Sequence, residues 1–288
     1  MIYDPVIRTI SRSGRDILGE GPVWSAREQA LFWVDILGQK LFRMEWPACA
    51  VQQWEFSEPV GWVIERVRGG FVVGLRSGIY SLTLDPFGLE LLVDPELEQP
   101  SNRLNDAKAD WRGRIWFGTL DMGCDKPTGA LWRLDTDLTC ERVEDGLTIP
   151  NGPAISPSGS MFVHADSEAR KIWRYAIDED GRVLGKTLFL DFAGAEEAPD
   201  GMTFDSEGCL WLAQWGGARI ERYSPDGKLI AAIKLPARNP TSCAFGGATL
   251  DRLFVTSAAQ GDEANRAGGQ LFEIETGVRG LLPFAFAG

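Results

Sequence analysis

The chain has 288 residues, of which 44% are apolar, and carries a formal net charge of −12 from 41 acidic and 29 basic side chains. That much apolar material supports a large core, while the negative field repels phosphate backbones and anionic bilayers, so nucleic acid and membrane surface are not expected partners. No stretch reaches the 18 consecutive apolar residues of a spanning helix.

The opening MIYDPVIRTISRSGRD lacks a basic end followed by an apolar core, so it does not read as a secretory signal, and a soluble cytoplasmic protein is expected. Its Ile2–Ile10 stretch is strand-like. Short apolar runs of period two then recur: ALFWVDI (30–36), GFVVGL (70–75), RIWFGTL (114–120), SMFVHAD (160–166), CLWLAQW (209–215) and RLFVTSA (252–258). A second strand type follows most of them: KLFRMEW (40–46), GIYSLTLD (78–85), ALWRLD (130–135), KIWRYAID (171–178), RIERYS (219–224) and QLFEIE (270–275). Turns such as WRGR (111–114), SPSGS (156–160) and DSEGC (205–209) precede the first type, and long helical patterns are absent, so the chain reads as all-β.

Glu20, Gly61, Asn105, Asn151, Asp200 and Ser242 mark one point in each unit, at spacings of 41, 44, 46, 49 and 42 residues. A unit of that length supplies about four short strands, the size of one propeller blade. Six such units make residues 1–288 a single six-bladed β-propeller. Because an open ring leaves bare sheet edges, the strand near Ile2–Ile10 is expected to close it against strands around Leu271–Phe284. Two stacked β-sandwiches would not explain the regular spacing, and the GH and WD signatures of a WD40 array are missing from a chain with one histidine.

Equivalent positions at one end of the innermost strands surround a propeller's channel. Glu20, Asn105, Asn151 and Asp200 occupy one such position, ten or eleven residues before the next apolar run, each followed by a small or turn-prone residue. Taken singly, Asx-Gly pairs are ordinary turn formers. In phase, they bring two carboxylates and two amides together, and carboxylates held that close repel unless a cation or a proton intervenes. With no sulfur or imidazole at this position, the set favours a hard divalent ion such as Ca²⁺, Mg²⁺ or Mn²⁺ over structural zinc. The five cysteines are widely spaced without CxxC, His164 reads as a structural residue inside a strand, and neither GxSxG nor a Gly-rich phosphate loop occurs.

LGEGPVW (18–24), RLNDAKADWRGRIWFGT (103–119), PNGPAISPSG (150–159) and PDGMTFDSEGCLWLAQWGG (199–217) resemble the SMP-30/gluconolactonase/regucalcin family, in order and over nearly the whole chain. The resemblance implies a six-bladed propeller with one divalent cation, among Ca²⁺, Mg²⁺, Mn²⁺, Fe²⁺ and Zn²⁺, held by Glu20, Asn151 and Asp200. It also implies that Arg103 and Asn105 bind a sugar lactone, that Asp200 is the general base, and that Asp121 or Asp125, in the loop GTLDMGCDKPTGALW, contacts substrate hydroxyls. The predicted activity is hydrolysis of an aldonolactone, such as a gluconic, xylonic, arabinonic or galactonic lactone, by a monomer or small homo-oligomer. The metal polarises the carbonyl, Asp200 takes the proton of the attacking water, and Arg103 and Asn105 hold the polyol. Rival readings are a calcium-binding regulatory propeller without catalysis, and a hydrolase of aryl esters or phosphotriesters resembling the paraoxonases. Among the eleven tryptophans, Trp62 and Trp215 are candidates to stack on a sugar, whereas Trp116 and Trp211 read as packing.

Overall fold

The computed structural model describes residues 5–156, 158–159, 161–178 and 180–288. Among these are twenty-four strands and no helix. In chain order, β1 (Ile7–Thr9) comes before the first blade: β2 (Gly19–Ser25), β3 (Ala30–Asp35), β4 (Lys40–Glu45) and β5 (Ala50–Glu55). The second blade is β6 (Val60–Glu65), β7 (Phe71–Leu75), β8 (Gly78–Leu84) and β9 (Phe87–Val93). The third is β10 (Asn102–Ala109), β11 (Ile115–Asp121), β12 (Gly129–Leu134) and β13 (Cys140–Leu147). The fourth is β14 (Pro150–Ile155), β15 (Met161–Asp166), β16 (Lys171–Ile177) and β17 (Val183–Asp191). The fifth is β18 (Ala198–Phe204), β19 (Leu210–Trp215), β20 (Arg219–Tyr223) and β21 (Leu229–Lys234). The sixth joins β22 (Pro240–Gly246), β23 (Arg252–Ser257) and β24 (Phe272–Glu275) to β1.

Each blade is a four-stranded antiparallel meander, and together they form a six-bladed β-propeller. The two strand types recognised in the sequence are the second and third strands of the blades. They stand out as apolar runs because both faces pack against neighbouring blades, in six apolar clusters that each bridge two adjacent blades. The ring closes where β1 pairs with β24, Ile7 opposite Ile274 and Thr9 opposite Phe272. That narrows the expected closure. Residues 2–4 of the predicted strand lie outside the described residues, and the segment after Glu275 does not extend the sheet. It crosses the propeller instead, bridging Asp205 through Gly280 and Arg66 through Phe286, with Phe286 buried between the second and third blades.

Two aspartates anchor the turns after the innermost strands of the third and fifth blades in a similar way. Asp110 accepts hydrogen bonds from the indole of Trp116 at 2.9 Å and from Arg114 at 2.7 Å, and Asp205 accepts from Trp211 at 2.9 Å and Arg222 at 2.8 Å. Trp116 and Trp211 are therefore packing residues, as the sequence suggested. So is Trp62, which lies against Gly74 and away from the cavity that holds the aligned polar residues.

The innermost strands share one irregularity. Each pairs with its neighbour in regular register except at a bulge, placed between Glu20 and Val23, Val60 and Trp62, Leu104 and Ala107, Asn151 and Ala154, Pro199 and Met202, and Pro240 and Ser242. A bulge frees residues from the ladder and re-aims their side chains. In the sixth blade the bulged residue is Thr241, one position before the Ser242 that spacing had selected.

Candidate functional site

The innermost strands deliver side chains in or beside these bulges to one end of the channel. A cavity of about 380 Å³ there is lined by Glu20, Arg103, Asn105, Asn151 and Asp200, together with Cys124, Ser167, Arg170 and Trp215. That volume falls in the range of about 300–1,000 Å³ typical of small-molecule sites. The five aligned or motif-borne residues come from the first, third, fourth and fifth blades, and each is buried.

A polar relay joins them. Arg103 Nη1 donates to Asn105 Oδ1 at 2.7 Å, Asn105 Nδ2 donates to Asn151 Oδ1 at 2.7 Å, Asn151 Nδ2 donates to Ser167 Oγ at 2.8 Å, and Ser167 Oγ donates to the Pro199 carbonyl at 2.5 Å. The last link fixes all the others. A serine hydroxyl has one hydrogen, and here a carbonyl takes it, so Ser167 can only accept from Asn151. The Asn151 amide is thereby oriented with its Oδ1 turned away from Ser167. Asn105 is more committed than the sequence implied: its Nδ2 also donates to the Pro150 carbonyl at 2.8 Å, so both of its hydrogens are used. It orients Arg103 and Asn151 and can offer substrate only the remaining lone pair of Oδ1.

The carboxylates each keep one oxygen uncommitted. Glu20 Oε2 accepts from the Gly21 N–H at 3.1 Å and Asp200 Oδ1 from the Gly201 N–H at 3.0 Å. Burial drives the Glu20 carboxyl up to about 8, with the charge of Asp106 adding to the effect. Burial likewise raises Asp200 well above the ordinary carboxylate range, reinforced by the charges of Glu20 and Asp106. Burial lowers Arg103, and the neighbouring Cys124, Glu20 and Asp200 partly restore it. Asp106, which no motif had singled out, is a third buried carboxyl of this cluster. Its Oδ1 accepts from the Ala107 N–H at 2.8 Å, and its Oδ2 is buried without a hydrogen-bond partner. No group of three or more His, Cys, Asp and Glu side chains suited to a metal occurs among the described residues; the predicted set has two carboxylates and an amide. That donor set fits a hard cation, which would relieve the mutual repulsion of the carboxylates.

Asp121 does not reach the cavity. It ends β11 and caps its own turn, accepting from the Gly123 N–H at 2.9 Å and facing Lys126 at 3.5 Å. From that loop Cys124 lines the cavity instead. Trp215 lines it too, so one of the two tryptophans proposed for stacking is placed to do so. Of the acidic loop 195–200, Glu196 lies on the rim, and Glu197 pairs with Arg219 at 2.5 Å. His164 is buried beside Tyr175, and both ring nitrogens lack hydrogen bonds among the described residues.

A six-bladed propeller with carboxylates, amides and a buried guanidinium converging on one channel mouth defines a class of small-molecule site built from loops and bulges of several blades. The chain belongs to the SMP-30/gluconolactonase/LRE-like family, whose model matches residues 18–259. It is 38% identical to a 6-deoxy-6-sulfogluconolactonase of Pseudomonas putida, over 94% of this chain and 96% of that protein. It is 36% identical to a pentonolactonase of Haloferax volcanii, over 97% of both. A solved structure of a calcium-binding protein, regucalcin, from Agrobacterium tumefaciens superposes with a TM-score of 0.93 at 24% identity, covering 99% of this chain and 98% of that one.

Proposed function

We propose that the protein hydrolyses a sugar lactone to the open aldonic acid with the help of one divalent cation. The observation that carries this is the meeting of Glu20, Asn151 and Asp200 in one cavity with Arg103 and Asn105. The relatives are named for a six-carbon sulfonated lactone and for pentonolactones, which supports a sugar lactone as the substrate class.

Glu20, Asn151 and Asp200 would hold the cation, which supplies Lewis acidity at the lactone carbonyl and offsets the buried negative charge. Asp200 keeps one oxygen for the proton of the attacking water. Arg103 is fixed by its bonds to the Leu104 carbonyl at 3.1 Å and to Asn105, so its remaining N–H groups present a steady donor edge to the lactone oxygens. Ser167 and Asn105 hold the Asn151 amide in one orientation. A cyclic ester of this kind is already reactive, so one base and one electrophile suffice without a covalent nucleophile. The burial of His164 away from the cavity counts against a histidine-dependent ester hydrolase.

The test is a pH-stat assay on a panel of aldonolactones, using chelated protein reloaded with each of Ca²⁺, Mg²⁺, Mn²⁺, Fe²⁺ and Zn²⁺. Turnover that vanishes on chelation and returns with a cation is the expected result. Tight cation binding with no turnover of any lactone would instead favour the non-catalytic, calcium-binding reading.

A further inference from the structure

One cation on the cavity wall takes no part in the chemistry above. Arg170 stands between β15 and β16, in a turn whose backbone is tied at both ends: its N–H donates to the Ser167 carbonyl at 3.1 Å and its carbonyl accepts from Phe192 N–H at 2.9 Å. Its half-buried side chain crosses to the loop before β18, where Nε donates to the Ala195 carbonyl at 2.8 Å and Nη2 to the Glu196 carbonyl at 3.3 Å. Both acceptors are neutral. Among the described residues no carboxylate lies within 4.0 Å of the guanidinium, and no hydrogen bond uses Nη1.

The neighbouring guanidiniums differ. Arg219 is answered twice, by Glu197 at 2.5 Å and Glu221 at 2.7 Å. Arg103, on the cavity floor, sits in the field of Glu20 and Asp200. Arg170 alone of the three makes no ion pair, Glu197 acting on it only from beyond 4.0 Å, and it lines the same cavity as Asp200. Glu168 and Glu196 also reach the rim, but their side chains are exposed, where water and salt weaken their field. A polyol tail would need only neutral donors and acceptors there. A planar, preorganised fork with unspent charge suits a bidentate oxyanion.

We propose that Arg170 forms an anion-selecting subsite and that the lactone this protein prefers carries a negatively charged group, a sulfonate, phosphate or carboxylate, at the carbon farthest from the ring carbonyl. The proposal rests on the lactonase reading and narrows it to a substrate class.

The experiment compares kcat/KM of the metal-loaded protein on two anionic probes, 6-phosphogluconolactone and glucarolactone, and on neutral gluconolactone, for wild type, Arg170→Gln and Arg170→Lys. The expected wild-type ratio of anionic to neutral kcat/KM is at least about tenfold on one anionic probe. The Gln variant should cut that ratio about tenfold or more through KM, and the Lys variant should keep most of it. Added salt should raise KM for the anionic probe more than for the neutral one. Which anionic probe responds distinguishes phosphate from carboxylate. Equal losses on all three lactones in the Gln variant would make Arg170 a loop fastener and overturn the subsite, as would a wild type that shows no preference. Hydrolysis of neutral lactones alone would sink this inference and leave the lactonase reading standing, whereas failure on every lactone would remove both.

Discussion

Arg103 is the side chain whose removal best separates binding from chemistry. It lies among carboxyls, so Arg103→Ala leaves the proposed cation ligands in place and takes away a competing positive charge. The variant should bind a divalent cation at least as tightly by calorimetry, while kcat/KM on the best lactone falls by about 100-fold or more. Ser167→Ala tests the relay from its other end. Without the hydroxyl, the Asn151 amide loses what fixes its orientation, and cation affinity should weaken by about 10–100-fold, measured calorimetrically on the chelated protein. Glu20, Asn105, Asn151 and Asp200 could be read from the sequence because a repeat places equivalent residues in phase. Ser167, Arg170 and Cys124 could not, because they come from strand ends and turns outside that phase. Nothing in the tripeptide around Ser167 says that its hydroxyl faces the channel. Asp121 carries the opposite ambiguity: an acidic residue in that loop is equally suited to capping its own turn.

At the scale of the strand, the bulges are what turn six meanders into one site. Gly61 shows how little room they leave: a Cβ there would lie 2.7 Å from the Leu104 and Asn105 carbonyl oxygens. Gly61→Ala should therefore push β10 outward, costing about 1–3 kcal/mol in urea unfolding and lowering kcat through a displaced Asn105. Gly201 meets Ser242 in the same way on the far side. The second and third strands of each blade were legible because they are buried on both faces or alternate cleanly. The outermost strands were not. AVQQWE in β5 and CERVEDGL in β13 are largely exposed and carry no consistent period. The inner strands hid for another reason, since their glycine-rich bulges break the alternation that marks a strand.

Across the whole molecule, two features govern stability. In the metal-free protein the native state holds Glu20 protonated up to about pH 8, whereas the unfolded chain releases that proton near 4.5. Stability must then fall as pH rises through that window, and Asp200 and Asp106 act in the same direction. The melting temperature of chelated protein should drop between these limits, and the gain on adding Ca²⁺ should widen, because the cation takes the place of the protons. The second feature is the seam of the ring. Arg12 pairs with buried Asp16 at 2.6 Å and lies over Trp33 and Phe42, tying the segment after β1 to the first blade. Arg12→Ala leaves that buried carboxyl only the Trp33 indole, at 3.0 Å, as a donor and should cost about 1–3 kcal/mol by denaturant unfolding.

That seam also sets a timetable for synthesis. The sixth blade takes its outer strand from residues 7–9 and its remaining strands from residues 240–275, so a nascent polypeptide carries an unmated edge until its closing segment emerges from the ribosome. Earlier blades can stack as they appear, but the circle cannot be sealed one module at a time. Translation pauses before residue 275 would prolong the aggregation-prone interval, whereas pauses after it would not.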